Sequence, residues 1–183
     1  MKREREMRVE KLNKDHLQTR YEWLNHPKIF QHMNMQYPIS LLETEAWYNR
    51  IYNNPNRIDL VFLEDNSIVA MTGLTSINTV DGLTEFYIMV SPNYQSKGIG
   101  SKSTIYTINY AFYNFNIHKI YLYTNNFNEK ANSLYEKLGF SLEGILKKHK
   151  FKNGHHIDRC IYGLLKDDWE KSEYFCKDVL LEF

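Results

Sequence analysis

The amino-acid sequence predicts one mixed α/β domain, and three observations carry that prediction. Leu83 to Val90 alternates, with Phe86, Ile88 and Val90 on one face and Glu85, Tyr87 and Met89 on the other, as a half-buried strand does. Gly100 to Phe115 places Ile105, Ile108, Phe112 and Phe115 at helical spacing. Asn153-Gly154 between Leu146–Lys152 and His155–Leu165 is the strongest hairpin signal in the chain. At 183 residues the chain has the length of one ordinary domain, and no Pro/Gly/Ser-rich linker or internal repeat divides it.

The elements follow in order. Arg8 to Lys11 reads as a short first strand. His16 to Leu24 is helical and stops before Pro27, since the residue ahead of a proline avoids the helical region. Ser40-Leu-Leu-Glu43 is a capping box that opens a helix running to about Asn53. Ile58–Leu63 and Ile68–Ile77 flank the turn Glu64-Asp65-Asn66-Ser67 and form a hairpin. Asp81-Gly82 turns the chain into Leu83–Val90. After the helix over 100–115 come a strand, Lys119–Thr124, and a helix, Glu129–Leu138, stopped by Gly139. The final hairpin is followed by a closing helix from Asp167, carrying Trp169, Phe175 and Leu180.

Composition excludes several classes. Apolar residues make up 43%, enough for a core, and the net charge of +1 is unlike the basic excess of a nucleic-acid binder. Cys160 and Cys176 are too widely spaced for a disulfide framework or a zinc motif and read as reduced thiols. MKREREM is followed by no apolar segment, and no stretch reaches the ~18 apolar residues of a membrane span. These features place the protein in the cytoplasm, away from membranes. His155-His156 cannot share a metal because adjacent strand residues face opposite ways, so no metal is expected. Tyr106, Tyr110 and Tyr113 share a helix face and read as packing.

One loop stands out. Gln95-Ser-Lys-Gly-Ile-Gly-Ser-Lys102 joins a strand to a helix and holds two of only eight glycines, each near a lysine. Uncapped N–H groups and the dipole of a first helical turn attract anions, and glycine admits a close approach by phosphate. The spacing is not that of a Walker loop. A Rossmann loop needs a third glycine where Ser103 stands, and Lys119-Ile-Tyr121 lacks the carboxylate expected roughly 20 residues on. By itself the loop also suits an ordinary turn before a surface helix.

The loop is paired with a second motif. Val90-Ser-Pro-Asn-Tyr-Gln-Ser-Lys-Gly-Ile-Gly100 resembles the coenzyme A pyrophosphate loop of the GNAT family of N-acetyltransferases. Asn128-Glu-Lys-Ala-Asn-Ser-Leu-Tyr-Glu-Lys-Leu-Gly-Phe140 resembles that family's second signature, in the right order and at the right spacing. The resemblance spans roughly Ile58 to Leu165. It is nearest to the spermidine and ribosomal-protein N-terminal acetyltransferases, through Glu143-Gly144 and Asn153-Gly154, with amino-sugar acetyltransferases similar at Trp23-Leu-Asn-His-Pro27.

The resemblance implies the GNAT fold: a mixed, mostly antiparallel sheet of six to seven strands, helices on both faces, and a V-shaped splay between the fourth and fifth strands. It implies acetyl-CoA as co-substrate, its pantetheine along Ile88, Met89 and Val90 and its pyrophosphate on Gln95, Ser96, Lys97, Gly98, Ile99, Gly100 and Ser101. A strand N–H near Met89 or Val90 would polarise the thioester carbonyl. Asn128, Lys130 and Ser133 are further cofactor contacts, although Asn128 also suits a helix cap and Ser133 a plain helix surface. An alkyl ammonium of pKa ~10.4 must lose a proton before it attacks. Glu85 matches the family's base position, and a solvent-facing strand carboxylate is the competing reading. Tyr135 matches the family's proton donor to the leaving thiolate, against one more packed tyrosine among fourteen.

The acceptor is a small-molecule amine expected to meet Met33, Tyr37, Trp47 and Glu85. The stretch His32-Met-Asn-Met-Gln-Tyr-Pro-Ile-Ser40 holds no acid, whereas the spermidine enzymes are acidic there. That ranks an amino-sugar nucleotide or similar amine first, a polyamine second and a protein N-terminus third. A non-catalytic acyl-CoA sensor is the reading from another class, disfavoured by the joint presence of Glu85 and Tyr135. Oligomeric state stays open, a homodimer included.

Overall fold

A computed structural model describes residues 7–176. The chain begins with strand β1 (Arg8–Lys11), then α1 (Leu17–Leu24), α2 (Pro27–Phe30) and α3 (Leu41–Ile51). Strands β2 (Ile58–Glu64), β3 (Ser67–Asn78) and β4 (Leu83–Val90) follow, then α4 (Ile99–Asn114), β5 (Lys119–Asn125) and α5 (Glu129–Lys137). A hairpin of β6 (Ser141–Lys152) and β7 (His155–Leu165) leads to α6 (Lys166–Trp169).

The seven strands form one sheet in the order β1-β2-β3-β4-β5-β7-β6. Every neighbouring pair is antiparallel except β4 and β5, which run parallel. Their pairing covers only Leu83 to Glu85 against Lys119 to Tyr121, and beyond that point the strands part. This is the V-shaped splay expected of the GNAT fold.

The alternation read in β4 sorts the core. Phe86 and Ile88 pack with Ile108 and Phe112 of α4, Leu138, and Trp169 of α6. Tyr87 and Met89 pack on the other face, with Trp23 and Leu24 of α1, Ile29 of α2 and Trp47 of α3. Most of β2 is buried on both faces, Val61 and Leu63 toward α1 and α3, Leu60 and Phe62 toward Ile99 and Tyr106 of α4. The capping box at Ser40 is present: the Ser40 N–H donates to Glu43 at 2.7 Å, and the Glu43 N–H donates to Ser40 Oγ at 3.1 Å.

Three elements depart from expectation. The helix expected from His16 is preceded by a 3₁₀ turn, Lys14–His16, capped by Asn13, so α1 proper begins at Leu17. Helix α1 stops at Leu24, before Pro27 as expected, but Pro27 itself starts the unforeseen α2, where its fixed φ and missing N–H suit the first position, and His26 Nδ1 accepts from the Lys28 N–H at 3.2 Å. Strand β6 begins at Ser141 rather than Leu146, because irregularities at Leu142/Gly144 and Leu146/Lys150 interrupt its alternation.

The closing helix is a correction. It spans only Lys166–Trp169, and Leu180 lies outside the described residues. Asn109 of α4 holds the chain that follows. It accepts from Trp169 Nε1 at 2.8 Å and from the Cys176 N–H at 3.2 Å, and it donates to the Tyr174 carbonyl at 2.9 Å. Those bonds satisfy backbone groups that a longer helix would have paired with itself. Cys160 and Cys176 are both free. Among the described residues no helix is long and apolar enough to cross a membrane.

Trp169 is fully buried. Trp169→Ala removes that volume and leaves Asn109 without its indole donor. It should cost about 3–5 kcal/mol. A urea midpoint unchanged from wild type would show that α6 is dispensable.

Candidate active site

The parting of β4 and β5 opens a cleft of about 690 Å³. Ile88, Met89 and Val90 of β4 form one wall, and Asn128, Lys130 and Tyr135 at and along α5 form another. Gln95, Ser96, Gly98, Gly100 and Ser101 close one end, and Met33, in the turn after α2, reaches the other. The backbone of β4 beyond Glu85 is released from β5 along this cleft, so its edge is free to pair with an extended ligand.

The glycine loop is built as an anion site. Gly98 caps α4 with φ +81°, a left-handed conformation that L side chains rarely adopt, and no side chain caps the helix. The first helical bond returns from the Lys102 N–H to the Gly98 carbonyl at 3.1 Å, so the N–H groups of Ile99, Gly100 and Ser101 have no intrahelical acceptor. The first turn holds no acid, leaving the positive end of the dipole uncompensated. Lys130 crosses from α5, its Nζ donating to Ser96 Oγ at 2.8 Å. Lys97 turns the other way, toward the Asn93 carbonyl at 2.8 Å and the Tyr94 ring at 4.9 Å. Ile99 contributes only backbone, because its side chain is in the core.

Tyr135 is 5% exposed, edge-on to Phe140 at 5.6 Å and to Phe86 at 6.4 Å, and it lines the cleft. Burial pushes its phenol well above the usual tyrosine range, so it holds its proton firmly. Its acidity is therefore further from that of a free thiol than an ordinary phenol's is. Asn128 is the cap of α5, its Oδ1 accepting from the Ala131 N–H at 3.4 Å, and it also lines the cleft. Ser133 is exposed on α5 and outside the cleft.

Glu85 sits at the last paired position before the splay, beside Tyr121, on the face opposite Phe86. Burial raises its carboxyl above the ordinary glutamate value, while Arg159 and Arg57 oppose that shift.

Two comparisons fix the family. The acetyltransferase (GNAT) domain family matches residues 6–141. The spermidine N(1)-acetyltransferase of Escherichia coli K12 is 33% identical over 126 residues, covering 67% of this chain and 68% of its own length. The chain belongs to the GNAT acetyltransferase family. It is an N-acetyltransferase. Among solved GNAT structures, the Vibrio cholerae spermidine N-acetyltransferase in complex with CoA and spermine superposes with a TM-score of 0.85 at 27% identity, over 89% of this chain and 97% of that one. A dodecameric structure of the same V. cholerae enzyme gives 0.80 at 25% identity, over 90% and 96%.

Within this GNAT fold, Tyr37, Trp47 and Glu85, all expected at the acceptor, do not line this cleft. Tyr37 is exposed and stacks on Phe30 at 4.2 Å. Trp47 lines a separate cavity of about 360 Å³ between α1 and α3, its ring 3.9 Å from the Arg20 guanidinium and 5.1 Å from that of Arg57. Those contacts fix its indole on α3, in the cluster that holds Tyr87 and Met89 of β4. The cleft is also lined by residues that sequence reasoning missed: Gln31 and His32 after α2, and Phe127 ahead of α5. The His32 and Phe127 rings are 5.9 Å apart. Reading Pro27 as a terminator hid α2 and the turn after it. Among the described residues no group of three His, Cys, Asp or Glu side chains is placed to hold a metal.

The raised Glu85 pKa has a measurable sign. Well below ~4.3 the folded and unfolded chains are both protonated there, and burial costs nothing in charge. As pH rises through the raised folded value, the folded state must ionise a half-buried carboxyl, and stability is lost. Glu85→Gln should therefore match wild type at about pH 3 and gain on it toward pH 7 in urea melts. A stability difference that does not vary with pH would contradict the shift.

Proposed function

We propose that the protein transfers the acetyl group of acetyl-CoA to the primary amine of a small molecule. The observation that carries this reading is the splay itself: a released strand edge, an uncapped glycine loop and a buried phenol lie along one cleft in a GNAT chain. The CoA- and spermine-bound relative supports the same donor.

Acetyl-CoA supplies an activated thioester carbonyl, and the chain's residues handle charge and protons around it. The α4 N–H groups and Lys130 hold the pyrophosphate. The free edge of β4 orients the pantetheine, and a strand N–H near Met89 or Val90 stabilises charge developing on the carbonyl oxygen. Glu85, directly or through water, takes the proton that an ammonium must lose before its nitrogen forms the new C–N bond. Tyr135 gives its proton to the sulfur as the C–S bond breaks; burial raises a thiol's pKa as it does a phenol's, which narrows the mismatch between the two.

For the acceptor, the relatives favour a polyamine over the amino-sugar order that the sequence suggested. A second reading, an amine on an oxygen-rich carrier such as an amino-sugar nucleotide, draws on the acid-free stretch 31–40 before α3. Both predict release of free thiol in the presence of acetyl-CoA and a panel of spermidine, spermine and amino-sugar nucleotides. Silence toward every amine would refute the transfer reading. With any active amine, Tyr135→Phe should lower kcat about a hundredfold and leave the affinity for acetyl-CoA near wild type. Unchanged turnover would remove Tyr135 from the mechanism.

The dodecameric relative also supports an oligomer. Edge strand β6 exposes Leu142, Ile145 and Phe151, an apolar strip suited to burial by another subunit. Light scattering should give a mass several times that of one chain, and a monomer mass would dismiss the assembly.

A further inference from the structure

Arg159 of β7 lies opposite Asn125 of β5, and cross-strand partners share a face. The same face carries Tyr121 and Tyr123, and Glu85 joins it through its register with Tyr121. Arg159 is 7% exposed, and its guanidinium sits 4.6 Å from the centre of the Tyr123 ring. It makes no hydrogen bond or ion pair to a described residue, and its Nε is buried without a partner. Leaving a buried charged donor unmatched is among the costliest arrangements a fold tolerates.

Its neighbours are unmatched in the same way. Asn125 is 1% exposed; its Nδ2 donates to the His32 carbonyl at 3.3 Å, but its Oδ1 has no partner. His32 Nδ1 is likewise buried and unpaired, and His32 lines the donor cleft. Five buried side-chain polar atoms lack partners among the described residues, and three of them belong to His32, Asn125 and Arg159. The remaining charges nearby are Glu85, the Arg57–Asp59 pair, which cancels itself, and Lys152, whose Nζ donates to the Phe30 and Met33 carbonyls at 2.7 Å each. Two cations and one acid favour an anionic guest over a polycation.

We propose that Arg159, with Asn125 and His32, forms an acceptor subsite that binds an oxyanion carried by the same molecule as the reacting amine. The guanidinium fork fits the paired oxygens of a carboxylate or phosphate. Asn125 Oδ1 accepts an N–H or O–H from the same guest. The subsite rests on the transfer reading above and, in place of the polyamine that the relatives favour, selects an amine bearing a carboxylate or phosphate, with Glu85 beside it as base.

Matched amines test this, with acetyl-CoA saturating: ethanolamine against O-phosphoethanolamine, propylamine against β-alanine, and glucosamine against glucosamine 6-phosphate, with spermidine alongside. The wild type should prefer an oxyanion-bearing partner in kcat/KM by about tenfold or more. The first and third pairs report phosphate, and the second reports carboxylate. Arg159→Met should collapse the ratio within a pair, and Arg159→Lys should restore part of it. A purely structural role would lower both members of a pair together and leave the ratio intact. Turnover with no oxyanion preference, or with spermidine the better substrate, overturns the subsite and leaves acetyl transfer standing. Turnover with none of the amines overturns both. If Arg159→Met fails to fold, the wild-type ratios and Arg159→Lys decide the matter.

Discussion

The structure turns on one limited interaction. Strands β4 and β5 pair in parallel from Leu83 to Glu85 and then separate. Had the ladder continued, the backbone of Ile88 to Val90 would be spent on β5, and α5 would pack over a closed sheet. Because it stops, the last residues of β4 keep hydrogen-bonding capacity on one edge, and the loop into α4 faces the gap. Buried polar backbone normally finds partners within the protein. Here a row of it is kept for a guest.

The two sides of that gap are built differently. The donor side draws largely on backbone, through an uncapped helix start and a bare strand edge, with Lys130 and Tyr135 of α5 facing it. The acceptor side proposed above would instead be assembled from side chains: Glu85, His32, Asn125 and Arg159. Its electrostatics are set by burial. The same desolvation raises the carboxyl of Glu85 and lowers the guanidinium of Arg159, so each group depends on its neighbours for compensation.

This division explains what was legible in the sequence. Backbone function leaves short, local signatures, so Gln95–Ser101 and Asn128–Tyr135 were readable as motifs before their contacts were known. The alternation of β4 told which residues face α4 and which face α1, because a two-residue period admits little ambiguity. The proposed acceptor side was poorly legible. Its residues come from the turn after α2, the end of β5 and the middle of β7, and no short pattern joins them. Arg159 reads as an ordinary strand charge until its register against Asn125 is known. The irregular β6 and the short α6 escaped for a related reason: bulges and the Asn109 side chain, rather than local periodicity, decide where those elements begin and end.

The lysine that ties the α2 turn to the last hairpin has a consequence for how the molecule comes into being. Lys152 reaches carbonyls 122 and 119 positions earlier in the chain. Contacts between such distant residues form late, since the entropy of closing the loop between them must be met first. A ribosome that has released only the first three-quarters of the chain has supplied β4, α4, β5 and α5, but neither Lys152 nor Arg159. The donor cleft can thus take shape on a growing chain, while the opposing wall waits for synthesis to finish.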